Sequence, residues 1–368
     1  MLIGLNTAWN FVNFRAGLVR AMVDAGYEVV AVAPPDAHVD RLKQLGCRFI
    51  PLPMDGHGRH LGRELALLYR LWRLLRQERP DVYLGFTIKP NIYGALAARC
   101  LGIPVINNIT GLGMVFARDD LFARWVKRLY RVALRRSRTV FFQNDEDLAL
   151  FVQAGLVKPA VTARLPGSGI DTTRFPLTPL PNQSPLRFLL IARLLWEKGV
   201  GEYVQAARML KARGLAAEFE LLGFVDDNNR AAVSGGQLRE WEAEGVVRYL
   251  GSSDDVRVQI AQADCVVLPS YYREGTPRTL LEAAAMGRPL ITTDSIGCRD
   301  VVDDGINGHL CRPRDADDLA AKMVAVVELS AQARTAMGQA GRTKIAQEFD
   351  ERIVIDRYLD AMAQILGR

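Results

Sequence analysis

Apolar residues in this chain fall into short continuous runs, and the stretches between them carry helical periodicity. In the first half the runs predict strands at 2–6, 28–33, 48–52, 82–86, 104–108, 139–143 and 161–165. Apolar positions three and four residues apart predict helices at about 14–25, 36–45, 61–77, 91–100, 121–135 and 145–154. The second half repeats the scheme, with strands at 186–192, 218–222, 246–249, 265–268 and 289–293 and helices at 200–211 and 279–286. The run 265–268, Cys-Val-Val-Leu, has no polar alternation and marks a strand buried on both faces. Residues 315–368 are helical in pattern. Strand–helix alternation with short connections implies an α/β fold built on parallel, doubly wound sheets.

Proline divides this pattern. Segment 178–185, Thr-Pro-Leu-Pro-Asn-Gln-Ser-Pro, sets three prolines among polar residues and marks a domain boundary. A chain of 368 residues at about 100–200 per domain gives two domains, each long enough to bury a core. The divisions are 1–180, 181–348 and a terminal helix at 349–368.

The chemistry concentrates in 268–308, which reads as strand, loop, helix, strand, loop. Thr276 is the expected N-cap, Pro277 suits the first helical turn, and Gly287 is the expected stop. Glu274 lies outside the carboxyl end of a strand, where open α/β sheets bind ligands. Glu282 follows eight positions later inside an apolar helix. Between them Gly275, Thr276, Pro277, Arg278 and Thr279 open a helix N-terminus, a ready anion site. Two carboxylates flanking an amide nest suit a ligand whose hydroxyls flank a phosphate, as in a nucleotide-sugar. The alternative is a solvated loop Glu and a surface helix Glu. Arg193 and Lys198 stand in the loop after strand 186–192, where a fork and a point charge could clamp a diphosphate. Thr87, Lys89 and Asn91 follow strand 82–86 in the same way, and Lys89 is the natural phosphate candidate there.

The block Glu274-Gly-Thr-Pro-x4-Glu282-Ala, with Gly287-Arg-Pro289 after it, resembles the Glu-x7-Glu signature of retaining glycosyltransferases of family 4. That resemblance implies the GT-B architecture, two Rossmann-like domains facing a central cleft, with the last helix crossing back to the first domain. It implies that Glu274 contacts the donor hexose and Glu282 the ribose hydroxyls. It likewise implies that Arg193 and Lys198-Gly199 hold the donor diphosphate, and that the 251–256 loop, with Asp255 and Val256, receives the nucleobase. Stretches 9–15, 86–94, 107–113 and 142–148 resemble the branch that adds N-acetylhexosamines, such as N-acetylgalactosamine, to sugars on polyprenyl diphosphate. Acceptor-binding residues implied on them are Asn13, Arg15, Thr87, Lys89, Asn91, Asn108, Thr110 and Gly111. Many family members carry His-Gly where this chain has Thr110-Gly111, so no role of that histidine transfers.

No cofactor and no metal are expected. Gly111-Leu-Gly113 lacks the third glycine of a dinucleotide fingerprint. Asp145-Glu-Asp147 and Asp315-Ala-Asp317 have metal-motif spacing but open helices, where acidic residues suit the dipole. His38, His57 and His60 fit no zinc spacing.

Five cysteines without a C-x-x-C pair indicate a reducing compartment, and Cys100 and Cys265, in apolar runs, are expected to be buried. The chain opens on a strand, leaving no room for a signal peptide, and no run approaches the ~18 apolar residues of a membrane span.

The net charge of +6 invites an anionic partner. Helices in 59–79 and 122–138 interleave arginines with Leu, Trp and Phe, so an anionic membrane is the expected surface. The expected location is thus cytoplasmic, peripheral on the inner face of the plasma membrane. Rival readings are a nucleotide-sugar 2-epimerase of the same architecture, a transferase using another hexose, and a basic nucleic-acid-binding protein; no aromatic-basic motif supports the last.

Overall fold

The computed structural model describes residues 1–55, 60–112, 116, 120–226, 229 and 231–367. The chain divides into two compact units, Met1–Gly169 with Glu351–Arg368, and Ile170–Asp350.

The first unit runs β1 (Leu2–Gly4), α1 (Ala8–Phe14), α2 (Ala16–Asp24), β2 (Val30–Ala33), α3 (Val39–Lys43), β3 (Arg48–Pro51) and α4 (Leu61–Glu78). It continues with β4 (Tyr83–Phe86), a π-helical turn at Pro90–Gly94, α5 (Ala95–Cys100), β5 (Val105–Ile109) and α6 (Leu121–Leu134). Then come β6 (Thr139–Phe142), α7 (Asp145–Gln153) and β7 (Thr162–Arg164). The seven strands are parallel, in the order β3-β2-β1-β4-β5-β6-β7.

The second unit runs β8 (Leu186–Ile191), α8 (Val200–Ala212), β9 (Ala217–Leu222), α9 (Gly235–Ala243), β10 (Arg248–Tyr249), α10 (Arg257–Gln262) and β11 (Cys265–Leu268). It ends with α11 (Arg278–Ala285), β12 (Leu290–Thr293), β13 (Gly308–Cys311), α12 (Ala316–Glu328) and α13 (Ala331–Glu348). Its six strands are again parallel, ordered β10-β9-β8-β11-β12-β13. The last helix, α14 (Glu351–Leu366), belongs to the first unit and packs on α2. Gly169 permits that return: its φ is +68°, and a Cβ there would lie 2.4 Å from the Glu351 Cα.

Burial on both faces explains the continuous apolar runs. Along β11, Cys265 and Val267 enter one core cluster while Val266 and Leu268 enter the opposite one. In both sheets the strand order reverses direction once, between β1 and β4 and between β8 and β11. Such switch points leave a crevice at the carboxyl ends of the strands, the ordinary ligand site of this topology.

Several elements differ from expectation. Residues 8–14 form a helix, because Thr7 caps it by accepting from the Asn10 N–H at 3.0 Å. Segment 178–185 lies inside the second unit, where the fully buried Arg288 donates to the carbonyls of Thr178, Pro179 and Ile260. Cys100, on the last turn of α5, is exposed, whereas Cys265 is buried. His57 and Gly113 lie outside the described residues.

Helices α4 and α6 both pack against the Pro90–Gly94 turn and α5. Their outer surfaces expose Leu61, Leu65 and Tyr69 on α4 and Leu121, Trp125 and Val132 on α6. The α6 stripe is therefore split, with Val126 in the core and Trp125 outside. Arg128 and Arg135 are exposed beside it. Arg131 instead donates to the Ala154 and Gly155 carbonyls at 2.8 and 3.2 Å, capping the end of α7. Among the described residues no helix is long and apolar enough to cross a membrane.

Candidate active site

The crevice of the second unit is built by the loops after β8 and β11. Gly199, at φ +78°, lets the first loop pass the second, since a Cβ there would meet the Pro269 carbonyl oxygen at 2.1 Å. The Glu197 carbonyl accepts the N–H groups of Tyr271 and Tyr272 at 3.1 and 3.0 Å, tying the loops together. From the β12 side, Thr293 and Ser295 hydroxyls donate to the Ser270 carbonyl. Hydrogen bonds from the ends of β8 and β12 thus fix the Ser270–Tyr272 backbone.

Within that frame the Lys198 ammonium pairs with the Glu274 carboxylate, both side chains about nine-tenths buried. Ser270 Oγ also donates to Glu274 Oε1 at 3.0 Å, and Lys198 Nζ lies 5.0 Å from the Tyr272 ring centroid. Burial raises the Tyr272 phenol pKa, and the Glu274 charge adds to the effect. The Arg193 side chain, after β8, is exposed and has no hydrogen-bond or ion-pair partner among the described residues. Sequence reasoning reached Arg193, Lys198 and Glu274. It missed Ser270, Glu197, Thr293 and Ser295, whose roles depend on neighbouring strand ends.

Helix α11 starts one residue later than Thr276 capping would give. Pro277 occupies the cap with extended ψ and supplies no side-chain hydrogen bond, and Arg278 is the first helical residue. Gly275 and Thr276 lie before the cap, and Thr279 is in the first turn. Gly287, at φ +79°, ends the helix as expected. Arg278 Nε donates to Glu282 Oε1 at 3.0 Å. Burial pushes the Glu282 pKa up, and the Arg278 charge opposes it. After β10, Asp255 is held by Arg257, whose Nε lies 2.7 Å away, and Val256 caps α10. Among the described residues no three His, Cys, Asp or Glu side chains cluster as metal ligands would.

In the first unit, Thr87 ends β4 at φ +61°, a left-handed conformation that strains a β-branched residue. Lys89 is no solvated loop lysine: its Nζ lies 2.6 Å from Glu64 Oε1 on α4, with side-chain exposures of 19% and 9%. Asn91 is buried, donates to the Asn108 carbonyl at 2.7 Å and accepts from Asn107 at 2.8 Å. Asn108 donates to the Tyr358 hydroxyl of α14 at 2.7 Å. The Asn91 amide and the Asn108 nitrogen are therefore used within the fold, while Asn108 Oδ1 is buried with no hydrogen-bond partner among the described residues. Arg15 is buried at the β1/β4 switch point, its Cζ 4.7 Å from the Phe86 ring centroid. Asn13 donates to the Trp9 carbonyl at 3.1 Å. Thr110 and Gly111 are half-buried beyond β5, with Gly111 at φ +119°.

Comparison with known proteins bears on these two crevices. The group 1 glycosyl transferase model matches residues 185–328, and the 4-like glycosyl transferase domain model matches residues 13–168. The chain belongs to this glycosyltransferase family. The N,N'-diacetylbacillosaminyl-diphospho-undecaprenol alpha-1,3-N-acetylgalactosaminyltransferase of Campylobacter jejuni is 27% identical over 371 residues, covering 96% of each chain. The UDP-Gal:alpha-D-GlcNAc-diphosphoundecaprenol alpha-1,3-galactosyltransferase of Escherichia coli is 23% identical, covering 72% of this chain and 71% of its own.

Among solved structures, Anabaena HepE in complex with UDP superposes at a TM-score of 0.78, with 18% identity and 99% of each chain covered. The lipopolysaccharide glycosyltransferase WaaG does so at 0.71, with 16% identity and 98% of each covered. The fold of this glycosyltransferase is GT-B, as the motif implied. Its enzyme class is transferase, and these matches support that reading over the epimerase.

Proposed function

We propose that this glycosyltransferase moves an N-acetylhexosamine, best matched by N-acetylgalactosamine, from a UDP-linked donor to a saccharide on polyprenyl diphosphate, in glycan assembly. The similarity to the C. jejuni enzyme along 96% of both chains carries this reading, because that enzyme's name states both the sugar and the lipid-linked acceptor.

Lys198 and Glu274, brought together at the β8/β11 switch point, supply the chemistry. Glu274 contacts the hexose. Lys198, Arg193 and the start of α11, from Gly275, Thr276 and Pro277 to Arg278 and Thr279, stabilise charge on the leaving diphosphate without a metal. Glu282 holds the ribose, and the backbone at Asp255 and Val256 receives the uracil. The acceptor hydroxyl attacks from the face the diphosphate leaves, a leaving phosphate oxygen takes its proton, and configuration is retained. On the acceptor side, Arg15, Asn13, Thr87, Thr110 and Gly111 contact the lipid-linked sugar. Lys89, neutralised by Glu64, and the packed Asn91 and Asn108 shape that surface. The exposed apolar and basic faces of α4 and α6 support peripheral binding to the cytoplasmic membrane face.

The test is a panel of nucleotide-sugars, each with and without a polyprenyl-diphosphate-linked saccharide, run in EDTA and read by mass spectrometry and NMR. One α-linked N-acetylhexosamine added to the acceptor, from the UDP donor alone, is expected. Turnover of donor without acceptor, or transfer only after magnesium is restored, contradicts the reading.

A further inference from the structure

Arg278 occupies the first turn of α11 and spends its guanidinium on Glu282 one turn later, with side-chain exposures of 10% and 13%. A pair this dry is little screened, so whatever displaces it must replace both halves. Two features disfavour the placement taken alone. A helix N-terminus presents positive dipole charge, which suits an acid and not a guanidinium. The order is also the weaker one, since a carboxylate four residues before the cation is the better arrangement. Moreover, the carboxylate that accepts from Arg278 Nε is the one proposed to take the ribose.

We infer that the Arg278 side chain is a diphosphate-binding group held on Glu282, and that a nucleoside diphosphate exchanges this pair. Ribose hydroxyls take the Glu282 carboxylate, and the guanidinium turns to the phosphates, where its planar fork can bond two oxygens at once. The inference rests on the reading of Glu282 as the ribose holder. It distinguishes two ligands. A nucleoside must displace Arg278 and offers it no anion in return, whereas a nucleoside diphosphate supplies one. Arg278 therefore opposes the first and favours the second.

Removing the guanidinium should move the two affinities in opposite directions. In Arg278→Met, UDP binding by calorimetry should weaken by ~10-fold or more, as for loss of a charge-assisted contact. Uridine binding by ligand-observed NMR should tighten several-fold. Both are measured at pH 8, well above the ordinary carboxylate range. Arg278→Lys, which keeps the charge without the fork, should recover part of the UDP affinity and controls for misfolding. Unchanged UDP binding in Arg278→Met, uridine weakened alongside UDP, or Arg278→Lys no better than Arg278→Met overturns the inference. Glu282→Gln tests the underlying reading separately: it should weaken uridine and UDP alike. Wild-type uridine affinity in that variant refutes the ribose role, whatever Arg278→Met does.

Discussion

The Lys198 ammonium and the Glu274 carboxylate form a nearly dry ion pair between the loops that end β8 and β11. Each is the other's counter-charge, so a donor diphosphate must compete with Glu274 for Lys198. Glu274→Gln removes that competitor while keeping the shape of the side chain. UDP affinity, measured by calorimetry, should rise by up to ~10-fold, the scale of one charge-assisted hydrogen bond. Lys198→Met should lower it by a similar factor. UDP binding weakened in both variants would mean the pair acts as a unit on the diphosphate.

Donor binding should also depend on pH through Glu282. Burial raises its pKa in the folded protein, with Arg278 opposing. The ionised carboxylate is the form that accepts ribose hydroxyls, so affinity for UDP should fall as pH drops through a value above the ordinary carboxylate range. In Glu282→Gln the Glu282 part of this acid limb should be absent, leaving the part due to the UDP terminal phosphate, whose own pKa is about 6. The sign for stability is the reverse: a raised folded-state pKa means tighter proton binding in the native protein, so stability is gained as pH falls through it. A UDP titration from pH 8 to pH 5 in both proteins checks the assignment.

Arg288, next to Gly287, should prove structural. It is fully buried and donates to the carbonyls of Ile260, Thr178 and Pro179, with its pKa lowered by burial to about 10. Arg288→Met strands those carbonyls and should cost the second unit about 3 kcal/mol in urea unfolding. UDP affinity of the folded fraction should be unchanged. Lost UDP binding at wild-type stability would place Arg288 in the donor site instead.

Membrane binding is best probed at Arg128 and Arg135, both exposed on α6 beside Trp125 and Val132. Arg131 is unsuitable, because it caps α7. Each cation near anionic lipid is worth ~1 kcal/mol, so reversing two should cut sedimentation with anionic vesicles at least ~10-fold. Soluble UDP binding should be unaffected. A double Glu variant that sediments like the wild type would exclude this face.

The sheets were legible because strands buried on both faces leave uninterrupted apolar runs, as at 265–268. Glu274 and Glu282 were legible because loop and helix lie within one strand–helix unit. Contacts between distant segments were not. The Glu64 partner of Lys89 lies 25 residues earlier, and nothing in either sequence neighbourhood announces it. Asn91 looked like a ligand at a strand end, yet its amide is used on β5, as only strand order reveals. The helix at 8–14 was missed because its Trp, Phe and Val residues are weak helix formers, and the Thr7 cap that starts it was overlooked. The Arg278 bond to Glu282 joins two residues four apart on α11, in the cation-first order that helix rules favour less.

The most direct test of the account is the rate of sugar transfer by Glu274→Gln at saturating UDP-sugar, with a polyprenyl-diphosphate-linked acceptor. Saturation removes any change in donor affinity, so the rate reports only the step at the hexose. The account predicts a fall of at least ~10²-fold, typical for loss of one preorganised charge at a reacting centre. Wild-type turnover in that variant would contradict it.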